Sequence, residues 1–127
     1  MRITALIARI LLGLIFFVFG LNGFLHFIPM GRMPTGLSGQ YIMVLMQSHY
    51  IYFVAAVQVV GGALLLIGRY VPLGLTLLGP VIVNILLYHL LMDLKGIPMA
   101  IIVTILWAIV FYRNRQYFSG LFAQKTA

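Results

Sequence analysis

The chain has 127 residues, 64% of them hydrophobic and only 7% charged, a balance that the water-exposed surface of a domain this size does not tolerate. A soluble protein is excluded, and the net charge of +7 does not mark a nucleic-acid partner, because the basic residues are scattered singly over the chain ends and connections. Cysteine is absent, which removes disulfides, thiolate metal sites and thiol relays.

A helix needs about 20 apolar residues to cross a hydrocarbon core of about 30 Å, so four such spans use most of the chain. The first run covers residues 3–28, longer than a signal segment and without a cleavage site, and reads as a retained span. Residues 29–49 follow, rich in turn formers at Pro29, Gly31, Pro34, Gly36 and Gly39. Their apolar part, LSGQYIMVLMQS, suits a short helix lying in the membrane interface. The second span is 50–67, the third 71–92 and the fourth 97–118, joined by short connections that force antiparallel neighbours. The expected fold is therefore all-α, a single integral membrane domain over residues 1–127 built as a four-helix up-down bundle.

Small residues mark where helices approach closely. Gly13 and Gly20 share one face of the first span, and Ala55, Gly61 and Gly62 accompany Gln58 on the second. Gly79 and Pro80 predict a bend in the third span, with the carbonyl of Thr76 deprived of its usual donor. Trp107 reads as packing, and Tyr50, Tyr52, Tyr70, Tyr112 and Tyr117 as interface anchors.

Arginine and lysine counts set the orientation. Arg2, Arg9, Arg69, Arg113, Arg115 and Lys125 fall on one side and Arg32 and Lys95 on the other. That asymmetry predicts a multi-pass protein of the cell (inner) membrane with both termini cytoplasmic.

Polar side chains within the spans are the candidate functional residues. At about 1.5 Å per residue, Asn22 lies about 9 Å from the outer end of its span, and Gln58 and Asn84 about 12 Å from theirs. Three carboxamides thus fall in one outer-half layer. His26 and His89 sit about 3 to 5 Å below their helix ends on the same arithmetic. Asn22 and His26 are spaced i, i+4, as are Asn84 and Tyr88, whereas His89 is about 140° around the helix from Asn84. The carboxamides are expected either to bond one another and hold the helices in register or to line a ligand pocket. The histidines suit headgroup or water contacts, or proton handling. Asp93, the single acid, sits at a span end, which disfavours a proton-driven transporter.

Three segments carry a family resemblance: ARILLGLIFFVFGLNGFLHF, VQVVGGALLLIGRYVPLGLTLLGPVIVNILLYHLL and the lightly basic C-terminal end. On GLNGFLHF, the GRYVPL turn and PVIVNILLYH the chain resembles the DoxX-like family over nearly its whole length. The resemblance implies a small four-helix membrane protein, with relatives linked to thiosulfate oxidation with quinone reduction, to oxidative stress, or to membrane assembly. The family pattern reaches Asn22, Gly61, Gly62, Pro72, Pro80, Asn84 and His89. Relatives often carry an acid near the position of Gln58, where this chain has a neutral amide.

The expectation is a protein that binds a small lipophilic, quinone-like molecule at Asn22, His26, Gln58, Asn84, Tyr88 and His89, as part of a redox or oxidative-stress system. No cofactor is encoded, no metal site is expected, and a bound quinone is the candidate ligand. The expected partners are the lipid bilayer, a membrane or peripheral redox protein, and a second copy of the chain. The alternative is an accessory or assembly subunit without a ligand of its own.

Overall fold

The computed structural model describes residues 2–25 and 35–125. His26, Arg32 and the rest of the first connection lie outside the described residues. Among the described residues five α-helices follow one another: α1 (Arg2–Leu25), α2 (Gly36–Gln47), α3 (Tyr50–Ile67), α4 (Val71–Leu91) and α5 (Ile97–Arg113). Short 3-10 segments, Leu94–Gly96 and Arg115–Phe122, precede and follow α5, and no strand occurs among the described residues. Four of the helices are long and apolar enough to cross a membrane, and α2, at 12 residues, is not.

The chain is an all-α, multi-pass membrane bundle. Helix α1 packs on α3 and α5, and α4 packs on the same two, closing a four-helix ring. Leu12 and Phe16 of α1, Leu65 of α3, Leu75, Leu78 and Ile82 of α4, and Val103 and Val110 of α5 fill its centre. Around this thin core the outer faces remain apolar: Phe53 is 75% exposed and Leu91 71%, a surface suited to hydrocarbon rather than water.

Because lipid tails are as apolar as leucine, burial alone does not drive these helices together; close backbone approach does. The α1–α3 seam displays it. A Cβ placed at Gly62 would come within 2.6 Å of the Phe17 amide nitrogen and 2.8 Å of the Gly13 carbonyl. One at Gly13 would meet the Gly62 carbonyl at 2.9 Å, and one at Gly20 the Val59 nitrogen at 2.9 Å. The adjacent Gly61 turns the other way, toward Leu78 and Gly74 of α4. Two neighbouring glycines thus serve two interfaces of α3 at once.

The connection from α3 to α4 spans only residues 68–70. Gly68 ends α3 in the left-handed region (φ 80), donating its N–H to the Leu64 carbonyl at 3.0 Å, and Tyr70 repeats that hand (φ 55) before Pro72 opens α4. Arg9 reaches across from α1 and donates from Nη1 to the Leu65 carbonyl at 2.8 Å, satisfying a helix-end acceptor and fixing α1 antiparallel to α3.

Pro80 lies inside α4, as the sequence requires, and the helix continues through it. The indole of Trp107 packs over Gly79 and donates to the Leu75 carbonyl at 3.0 Å, one residue before the Thr76 carbonyl that the proline leaves without its helical donor. Trp107 is therefore both packing and a polar tie between α4 and α5.

Three described boundaries differ from the sequence reading, the first by one residue, since α1 begins at Arg2 rather than at residue 3. The third span closes at Leu91, within the usual one-residue ambiguity of 71–92. The fourth stops at Arg113 rather than Phe118: Asn114 turns its amide onto the Val110 carbonyl at 2.8 Å, competing with the helix ladder, and the chain tightens into 3-10 turns. Phe118 consequently folds back onto Phe111 at 4.8 Å between ring centroids and joins the core. The end of the first span, residues 26–28, lies outside the described residues.

The seam makes a quantitative statement. Gly62→Ala is expected to destabilise the protein by about 1 to 3 kcal/mol through forced separation of α1 and α3. Gly79→Ala, whose Cβ would meet only Trp107 at 3.6 Å, is expected to stay within about 0.5 kcal/mol. Thermal melts of the two variants in the same detergent provide the comparison.

Candidate functional site

Most of the polar groups of interest lie toward the end of the bundle opposite Arg2 and Arg113, where α2 lies beside α3 and the C-terminal part of α4. Helix α2 presents an unusual distribution. Its buried residues are Ser38 and Gly39, while Leu37, Val44 and Met46 are exposed. A soluble helix would do the reverse; here the small polar side faces protein and the apolar side is left for lipid.

Tyr41 of α2 ties this helix to α4. The Asn84 amide donates from Nδ2 to the Tyr41 hydroxyl at 2.9 Å, and the Tyr41 ring sits 5.5 Å from that of Tyr88, one turn beyond Asn84. The buried Ser38 hydroxyl, which donates to the Thr35 carbonyl at 3.3 Å, lies close enough to interact with the Tyr88 side chain. Asn84, Tyr88, Tyr41 and Ser38 therefore form one polar cluster between α2 and α4. Asn84 and Tyr88 belong together, as their i, i+4 spacing requires. Tyr41 and Ser38 were not among the sequence candidates, because their segment was read as a generic interfacial helix; the sole clue was two hydroxyl residues spaced i, i+3 in an apolar stretch.

The three carboxamides do not converge. Asn84 is exposed and turned toward α2, on the side of α4 away from Leu75, Leu78 and Ile82. Asn22 is buried at 5% exposure and engaged. By helical phase it is about 160° around α1 from Gly20, whose face packs on α3. Gln58 lies on the core side of α3, between Gly61, which packs on α4, and Gly62, which packs on α1. It is half-buried and has no hydrogen bond with any described residue. The outward direction of Asn84 was not legible in the sequence.

His89 is drawn out of the cluster. Its ring lies against Gly96, where a Cβ would collide with the imidazole, and Nδ1 is 3.1 Å from the Asp93 carbonyl, a hydrogen bond when Nδ1 carries the proton. The ring also meets Tyr88 edge-on at 5.0 Å. His89 thereby closes the turn between α4 and α5. His26 lies outside the described residues. Among the described residues no three His, Cys, Asp or Glu side chains gather as a metal site.

Chemically, the arrangement offers hydroxyl and amide donors at Tyr41, Tyr88 and Asn84, and one uncommitted carboxamide at Gln58. Such groups orient an acceptor oxygen on an apolar molecule; by themselves they transfer no electrons. No protein-family model, curated protein or solved structure matches this chain, so the likeness to the DoxX-like family rests on its sequence segments alone.

If Asn84 and Tyr41 hold α2 in place, their replacements are coupled. In a double-mutant cycle, Asn84→Leu and Tyr41→Phe are each expected to destabilise the protein. The double variant should lose about 0.6 kcal/mol less than their sum, up to about 1.7. Strict additivity in chemical or thermal unfolding would show that the bond carries no energy.

Proposed function

We propose that the protein is a small membrane-embedded binding protein, which holds a lipophilic molecule with carbonyl acceptors, such as a quinone, in its outer half and serves a redox or oxidative-stress system. The observation that carries this reading is Gln58. The residue is half-buried, its amide atoms keep accessible surface, and they make no hydrogen bond with a described residue. In hydrocarbon such a donor is costly to leave unpaired, and a carbonyl-bearing ligand that reached it would supply the acceptor. Tyr88 and the Tyr41–Asn84 pair supply further donors where α2 meets α4, and the DoxX-like segments of the sequence point to the same ligand class. His26, one turn from Asn22, and His89 at the neighbouring turn are the candidate proton donors. Electrons would have to come from a separate redox protein.

A second reading is favoured by the other polar ties. Asn84 to Tyr41, Arg9 to Leu65 and Trp107 to Leu75 are all internal, which is how an accessory or assembly subunit would use its polar groups. The two readings separate on Gln58→Leu. A ligand-binding amide that is unsatisfied in the empty protein predicts an unchanged or raised melting temperature, with affinity for a menadione derivative reduced roughly fivefold, about 1 kcal/mol. A lowered melting temperature, no analogue binding by the parent, and a stoichiometric protein partner in native mass spectrometry would favour the assembly subunit.

We further infer that the arginine-rich end, with both termini, faces the cytoplasm of a cell with this protein in its inner membrane, and that α2 faces outward. Ser48 is exposed beyond α2 and Gln124 beyond the last 3-10 turn, so each accepts a unique cysteine. A membrane-impermeant thiol reagent applied to intact cells is expected to label Ser48→Cys and spare Gln124→Cys; the reverse pattern would invert the orientation.

A further inference from the structure

We propose that the arginine-lined cavity at the end of the bundle opposite α2 binds the phosphate group of an anionic membrane lipid. This inference is independent of the Gln58 reading and uses none of its residues.

A cavity of about 340 Å³ opens between the start of α1, the start of α4 and the end of α5, within the range of about 300 to 1,000 Å³ found for small-molecule sites. Arg2, Arg9 and Arg113 line it, over an apolar floor that includes Leu6, Val71 and Val110. The only acidic side chain of the protein, Asp93, follows α4 at the other end of the bundle, so no carboxylate side chain neutralises the three guanidinium groups. Like charges around one cleft repel each other, and an anion placed between them converts that repulsion into attraction.

The geometry of Arg9 adds selectivity. It is half-buried, and one of its donors is fixed on the Leu65 carbonyl at 2.8 Å, which holds the guanidinium in place without using its other N–H groups. A planar fork held in this way matches phosphate oxygens in pairs. Arg2 and Arg113 are exposed and come from different helices, so they can close on the same group from two sides. The position chooses the source of the phosphate. The cavity lies at a helix-end level where headgroups lie, its floor is apolar, and its lining residue Leu6 is itself exposed, with the exposed Ile3 and Ile10 one turn to either side along α1 to meet acyl chains. A free phosphate would leave that apolar floor uncovered.

The test uses the full chain in mild detergent, titrated with short-chain phosphatidylglycerol, with phosphatidylcholine of the same chain length, or with inorganic phosphate. Lipid retention is read by native mass spectrometry and stabilisation by melting temperature. Arg9 is left intact because it caps α3. The variant Arg2→Gln/Arg113→Gln is compared with Arg69→Gln/Arg115→Gln, which removes equal charge outside the cavity; Arg113→Gln alone guards against a folding defect in the first. Phosphatidylglycerol is expected to bind the parent at least about tenfold more tightly than phosphatidylcholine. Its affinity should fall at least about thirtyfold in the cavity variant, about fivefold in Arg113→Gln, and less than about threefold in the control. Equal losses in both double variants would replace the site with a diffuse basic field, and no loss in either would eliminate it. Stabilisation by inorganic phosphate matching that by phosphatidylglycerol would overturn the assignment to lipid.

Discussion

Close approach of the α1 and α3 backbones is the constraint on which the remaining structure depends. With Gly62 against Phe17 and Gly13, and Gly20 against Val59, the two helices leave no space for side chains between them. Dispersion and weak polar contacts then act over a short distance, the principal attraction that remains when solvent is as apolar as the protein. Once α3 is fixed to α1, Gly61 presents its other side to Gly74 and Leu78, and the α4–α5 pair completes the ring.

A bundle held by small residues has little room for polar groups, and those present are used economically. Among the described residues, interhelical bonds lie at three different interfaces: Arg9 to Leu65 between α1 and α3, Trp107 to Leu75 between α4 and α5, and Asn84 to Tyr41 between α4 and α2. Two end on backbone carbonyls: Leu65 in the last turn of α3, and Leu75, one residue before the Thr76 carbonyl that Pro80 leaves without its helical donor. In hydrocarbon a helix-end acceptor such as Leu65 has no water to turn to, so the Arg9 side chain from a neighbouring helix takes its place. Gln58 stands out because the same pressure acts on it and no described neighbour answers.

Charge divides the molecule along its length. Guanidinium groups gather where α1 begins and α5 ends, whereas hydroxyls and amides gather under α2. The two ends therefore suit different chemistry, anion recognition at one and hydrogen bonding to a neutral acceptor at the other. His89 belongs to neither; it is held by Asp93 and Gly96 in the turn that joins α4 to α5.

Composition and run length alone determined the membrane class, the four spans and the presence of a helix between the first two, because hydrocarbon thickness imposes a minimum length and the hydropathy pattern is local. Spacing along the chain likewise paired Asn84 with Tyr88, since the twist per residue is a constant of the helix. Which neighbour each side chain meets was not available in that way. The outward turn of Asn84 onto Tyr41, the core-side Gln58, the withdrawal of His89 to Gly96 and the meeting of Arg2, Arg9 and Arg113 around one cavity all depend on how helices rotate about their own axes. That rotation is set by the glycine contacts between distant segments, and only the assembled bundle decides it.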